Sequence, residues 1–199
     1  MGRVKAFASL AGILLFGTGL SAPPAKPATP AAPPAPQEAV VETAQGTFVI
    51  RLRPDLAPAH VAHFVKTARA GAYDGTTFHR IIPGGIIQGG DPFSKDPARV
   101  AEYGRGGLGL LKAEFSAAPF ARGVVAAARR PSSVDSGGSQ FFVVITEQPA
   151  LKGQYTIFGE VVSGIEVADQ ISTTPVEDDK PRERVEIKKV TLREKSPSS

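Results

Sequence analysis

The chain has 199 residues, of which 42% are hydrophobic and 21% charged, a length and balance that fit one globular domain with room for a leader or tail. It contains no cysteine, which excludes disulfides, thiolate metal sites and cysteine nucleophiles. The formal charge of +4 falls to +2 once Arg3 and Lys5 are removed with the leader, and no Lys/Arg run with interleaved aromatics occurs, so no nucleic-acid partner is expected.

The first residues read as a targeting segment. Arg3 and Lys5 form a basic start, Ala6 to Leu20 is an uncharged apolar stretch, and Ser21 and Ala22 are small residues suited to cleavage. The stretch is shorter than the ~20 residues of a membrane span, so residues 1–22 are expected to be a signal peptide, with an uncleaved anchor as the alternative. The mature form is then expected outside the cytoplasm, in a periplasm or its equivalent, with no membrane span. There is no Arg-Arg pair for a twin-arginine signal and no cysteine to lipidate. Residues 23–37 are almost only Ala and Pro. Such a segment cannot bury a core and should be an extended spacer, read either as a stalk or, preferably, as a disordered leader.

From residue 38 the pattern becomes that of a folded domain, expected to run to 195 and leave 196–199 as a tail. Val40–Thr43 and Thr47–Leu52 are β-branched runs around Gln45-Gly46, a hairpin signal. Pro58 suits a first helical turn, and Val61, Phe64, Val65 and Ala68 recur at helical spacing before Gly71, which predicts a helix over 58–70. Short apolar runs separated by glycine-rich turns follow: 76–82, 86–88, 123–128, 140–145 and 155–162. Ile165, Val167, Ala168 and Ile171 predict a second helix, and 185–192 a last strand. Many short strands with two helices point to a mainly β, antiparallel sheet or barrel.

Three local patterns suggest other chemistry. Gly104-Arg105-Gly106-Gly107-Leu108-Gly109 matches G-x-G-x-x-G, but a dinucleotide site needs it between a strand and a helix, so a tight loop is the better reading. Asp135-Ser136-Gly137-Gly138 resembles the nucleophile segment of trypsin-like serine proteases, yet Val134 stands where a glycine is usual, and the only candidate bases are His60, His63 and His79. His60 and His63 are three apart on the first helix, but nothing near them in sequence completes a catalytic zinc site. Neither a metal nor a cofactor is expected.

The strongest pattern is Tyr73-Asp74-Gly75-Thr76-Thr77-Phe78-His79-Arg80-Ile81-Ile82-Pro83-Gly84 with Gln88-Gly89-Gly90-Asp91. With Gly138-Ser139-Gln140-Phe141-Phe142 and Leu151-Lys152-Gly153-Gln154-Tyr155-Thr156-Ile157-Phe158-Gly159, it resembles the cyclophilins, in the family's order, from about residue 40 to 193. The resemblance implies a closed eight-stranded antiparallel barrel capped by two helices and peptidyl-prolyl cis-trans isomerase activity. It implies that Arg80 is the catalytic arginine, with His79 beside it and Gln88 holding it. It places Ile86, Phe142 and Leu151 on the walls of a proline pocket, Tyr155 where many relatives have His, and Ala128 and Arg129 on a strand edge that pairs with the substrate backbone. Gly85 stands where the family has Phe, so the pocket lacks one aromatic wall or another side chain fills it. Ala150 stands in place of a tryptophan that helps to bind cyclosporin, so cyclosporin binding is expected to be weak.

These residue types suit the reaction. An X-Pro bond rotates slowly because its C–N bond has partial double-bond character, with a barrier of ~18–20 kcal/mol. No bond is broken, so a donor to the proline nitrogen, whose lone pair appears only in the twisted state, suffices. The expected function is therefore isomerisation of X-Pro bonds in proline-containing exported polypeptides, by a monomer. A cyclophilin-fold peptide-binding or chaperone module with weak turnover is the alternative, and a serine protease a distant one.

Overall fold

The computed structural model describes residues 37–194, so the leader, the Ala/Pro segment to residue 36 and the tail from 195 lie outside the described residues. In chain order the elements are β1 (Gln37–Thr43), β2 (Thr47–Leu52), α1 (Pro58–Arg69), β3 (Thr76–Ile82), β4 (Ile86–Gly89), β5 (Val124–Ala127), β6 (Phe141–Val144), β7 (Ile157–Ser163), α2 (Ile165–Ser172), β8 (Val176–Glu177), β9 (Lys180–Pro181) and β10 (Glu186–Glu194). Gln37, assigned to the spacer by composition, already pairs with Glu194.

Eight strands close into an antiparallel barrel in the order β1-β10-β3-β4-β6-β5-β7-β2, while β8 and β9 form a separate hairpin. Closure leaves the barrel no unpaired edge. The apolar positions that alternate along the strands meet inside. Phe48, Ile50, Phe78, Ile81, Ile87, Phe141, Val143 and Ile187 are all buried there.

Helix α1 begins with Pro58 in its first turn, where a missing N–H costs nothing. It buries Val61, Phe64 and Ala68 and packs against β7 and β10. The Phe64 ring lies 5.0 Å from Tyr73 and 5.4 Å from Phe158, which ties the helix to the barrel aromatics. Its first-turn N–H groups find a partner far away in sequence: Glu114 accepts from the backbone N–H of Ala59 at 3.0 Å and of His60 at 2.9 Å. The same carboxylate lies 2.6 Å from the His60 ring. Burial alone pushes the Glu114 carboxyl up, but these hydrogen bonds outweigh it and hold the group below the ordinary carboxylate range. Helix α2 packs its own apolar face, Ala168 and Ile171, against β2 and β4.

The segment from residue 90 to 123, which the sequence left without regular structure, carries two short 3₁₀ turns, Pro92–Lys95 and Pro97–Glu102. Each starts with an Asp whose side chain accepts from a backbone N–H two residues on, Asp91 from Phe93 at 2.8 Å and Asp96 from Ala98 at 2.9 Å.

Candidate active site

Strand β3 presents its side chains out of simple alternation. Phe78 and His79 are both buried, and Arg80 is exposed. The cause is a bulge: the register with β4 shifts between Phe78 and Arg80. Such an extra residue re-aims the side chains after it. Arg80 is thereby turned onto the rim of a groove of about 710 Å³ that also takes in Ile86, Gln88, Phe142, Leu151 and Tyr155. Every residue that the sequence singled out for the site lines this one groove.

The proline-pocket candidates form a small apolar cluster. Phe142 is 2% exposed and packs with Ile86, Phe120, Val144 and Ile157, with Leu151 and Tyr155 at the margin. Its ring stacks on Phe120 at 6.4 Å and meets Tyr155 edge-on at 5.3 Å. Phe120 was not anticipated, since it lies in an Ala/Pro-flanked stretch without periodicity. Arg129 closes the lip: its guanidinium lies 4.7 Å from the Tyr155 ring and its Nε donates to the Gln154 carbonyl at 2.9 Å.

The question raised by Gly85 has a structural answer. The β3–β4 turn places Pro83 and then Gly84, at φ +66°, between Ile82 and Gly85, whose N–H donates to the Ile82 carbonyl at 2.8 Å. A Cβ on Gly85 would lie 3.0 Å from Cγ2 of Ile82. The Ile82 side chain therefore covers the place beside Gly85, and the groove has an aliphatic wall there.

Two partner assignments differ from those implied by the sequence. Gln88 sits opposite Arg80 in register, but its Nε2 donates to Oε1 of Gln140 at 3.0 Å, and Gln140 in turn donates to the Gly106 carbonyl at 2.7 Å. The side-chain partner of Arg80 is Asp179, with Nη2 donating to Oδ2 at 3.0 Å and the Arg80 side chain 45% exposed. Asp179 sits in the β8–β9 turn, where Asp178 and Asp179 both adopt positive φ, at 49° and 63°. The turn is fixed to the barrel by the Ile81 N–H, which donates to the Asp179 carbonyl at 2.7 Å.

β5 pairs with β6 on one side and β7 on the other and ends at Ala127. The Ala128 N–H just beyond it donates to the Gln140 carbonyl at 2.9 Å, and Ala128 and Arg129 both line the groove.

His79 is 7% exposed and neither ring nitrogen has a hydrogen-bond partner among the described residues. Burial lowers its pKa, against an opposing pull from the Asp91 carboxylate, so the ring is neutral near pH 7 and forms part of the groove wall.

The glycine-rich loop and the protease-like segment turn out to be joined. The buried Asp91 carboxylate accepts from the Gly104 N–H, and a Cβ on Gly106 would run into that carboxylate. A Cβ on Gly107 would meet the Ser139 hydroxyl, and one on Gly138 the Gly107 carbonyl. These glycines let two backbone segments touch, and the loop opens no helix. The Ser136 hydroxyl donates to the Ser133 carbonyl at 2.6 Å and accepts the Arg130 N–H at 2.8 Å. It is a turn-forming group and no nucleophile, which removes the protease reading.

Chemically, the groove sets a permanent cation beside a buried aromatic cluster. A guanidinium in that position can donate to a nitrogen or oxygen that gains electron density.

A model of the cyclophilin type peptidyl-prolyl cis-trans isomerase family matches residues 39–192. A Brucella suis protein described as a probable peptidyl-prolyl cis-trans isomerase is 46% identical over 140 residues, which cover 66% of this chain and 69% of that one. Peptidyl-prolyl cis-trans isomerase B of Bacillus subtilis is 43% identical over 126 residues, covering 63% and 82%. Among solved structures, a cyclophilin type isomerase of Cryptosporidium parvum superposes with a TM-score of 0.72 at 28% identity, covering 81% of this chain and 99% of that one. That protein was also solved in the presence of the dipeptide Ala-Pro, with a TM-score of 0.70, 28% identity and coverage of 78% and 98%.

Proposed function

Because the chain belongs to the cyclophilin-type peptidyl-prolyl cis-trans isomerases, it is an isomerase of X-Pro bonds, and we propose that it acts on exported polypeptides with Arg80 as the group that stabilises the twisted bond. The observation that carries this is the position of Arg80. Its guanidinium stands on the rim of the same groove whose inner wall is Phe142, Ile86 and Leu151.

In the planar ground state the proline nitrogen has no lone pair to offer. As the bond twists, resonance is lost and the nitrogen becomes an acceptor. A donor from Arg80 then strengthens only along the reaction coordinate, which is what lowers a barrier. Nη2 is engaged by Asp179, and the remaining N–H groups of the planar fork stay available for the substrate. The apolar cluster holds the ring, and the backbone from Arg129 holds the flanking peptide, so rotation is confined to one bond. His79, neutral and buried, serves as wall. Gln88 acts from its fixed position on Gln140.

Export is supported by the basic start at Arg3 and Lys5 and the apolar stretch from Ala6 to Leu20. Mass spectrometry of the mature N-terminus tests it: a start near residue 22 is expected, and an intact Met1 on protein from the cell envelope overturns cleavage. Ala150 supports weak cyclosporin binding, since it is exposed and offers no ring to pack or donate. The enzymatic assignment to Arg80 is tested by two-dimensional NMR exchange on an Ala-Pro peptide. Exchange peaks should appear with the protein and vanish with Arg80→Ala.

A further inference from the structure

The groove is longer than a proline needs. Besides the proline-pocket residues its lining takes in two further stretches, or walls: Pro97, Val100, Tyr103 and Gly104 in one, Asp178 and residues 180–185 in the other. A volume of 710 Å³ is that of a site for several peptide residues.

The first wall is held rigidly. The Arg184 guanidinium donates to the Ser94 carbonyl at 2.7 Å and to the Gly75 carbonyl at 2.6 Å. The Tyr103 hydroxyl donates to the Asp96 carbonyl at 3.0 Å, and Arg99 lies 3.7 Å over the Phe93 ring while pairing with Glu102 at 2.6 Å. Yet Val100, on this braced turn, is 58% exposed. Apolar side chains at the surface are ordinary, but this one lines the catalytic groove, as do Pro97 and Pro181. The second wall is equally fixed: the Arg182 N–H donates to the Pro175 carbonyl at 2.9 Å, and Asp179 is anchored through Ile81.

We propose that this half of the groove is a second substrate subsite, which takes an apolar side chain of the same polypeptide a few residues away from the proline. The occupant follows from continuity, since the subsite opens into the groove that holds the isomerising bond. Its preference follows from the lining: Val100, Pro97 and Pro181 offer apolar contact, while the Asp179 carboxylate is held by Arg80 and the Arg184 guanidinium by backbone carbonyls. The inference rests on reading the groove as the substrate site.

The test uses the full chain and a series of Ala-Pro peptides in which one leucine is moved from one to four residues away on either side. NMR exchange gives kcat/KM for each. One leucine position is expected to raise kcat/KM over the all-alanine peptide by about tenfold, the worth of burying part of such a side chain. In Val100→Asp that ratio should collapse towards one, and in Val100→Leu it should persist. Equal values at every leucine position, or a ratio untouched in Val100→Asp, overturn the subsite. Absence of exchange on the all-alanine peptide with the parent chain overturns instead the reading of the groove itself.

Discussion

Replacing Arg80 by alanine isolates the donor that the mechanism needs. A hydrogen bond to a charged group is worth ~1.5–3 kcal/mol, so its loss in the twisted state alone lowers kcat/KM by roughly tenfold to a hundredfold. The cost to the fold is separable and small. Arg80 is 45% exposed and its ion pair with Asp179 is solvent-screened, which places the stability loss at or below about 1 kcal/mol. For a domain of this size that is a shift of at most ~4 °C in Tm. Arg80→Lys keeps the charge but loses the planar fork, and should fall between the two. NMR exchange on an Ala-Pro peptide reads the rate, and thermal unfolding followed by circular dichroism reads the fold. A folded Arg80→Ala protein with near-parental kcat/KM refutes the assignment. So does a loss of activity that follows a loss of structure.

Acid should weaken the fold through His79. Its folded pKa lies below the ordinary 6.5 because the neutral ring is favoured by burial, so its contribution is complete above pH 6.5 and is lost as pH falls through the folded value. Urea midpoints measured from pH 8 to pH 5 should fall below 6.5, and less steeply in His79→Leu; His63, also lowered by burial, supplies the remainder. Identical slopes would count against the assignment. Gly138→Ala drives a methyl group into the Gly107 carbonyl and should cost about 1–3 kcal/mol or more by denaturant unfolding. Gly153→Ala, at φ +72° with nothing within 4 Å, should cost only the ~1–2 kcal/mol of its left-handed backbone. Gly85→Phe must displace Ile82 to enter the pocket, so it exchanges one wall for another. KM for a short peptide should change by no more than the worth of a methylene, about fourfold, and a larger gain would show that Ile82 does not fill the place.

The barrel strands were legible because alternation and glycine turns are local signals, and 76–82 was bounded to the residue. Helix α1 was equally plain from Pro58 and Gly71. What escaped depends on distance along the chain or on very short elements. The β8–β9 hairpin has two residues per strand and an Asp-Asp turn, too little for any periodicity, and so the partner of Arg80, 99 residues away, could not be named. Glu114 completes α1 from outside the helix, where no capping pattern applies. The hydrogen bond from the Ala128 N–H to the Gln140 carbonyl joins segments 12 residues apart and could not be read from either one alone. Gln140 lay in full view inside Gly138–Phe142. Its link between Gln88 and the glycine-rich loop needed the third dimension.

The pairing of β1 with β10 has a consequence in time. Gln37 lies opposite Glu194 and Val41 opposite Val190, so the first and last strands of the domain are neighbours. A chain delivered from its N-terminal end, by a ribosome or through a membrane pore, holds an open sheet until β10 has emerged. Contacts of such long sequence separation form late and slowly. This domain is therefore itself a post-delivery folder, with β1 waiting as an exposed edge for the last strand to arrive.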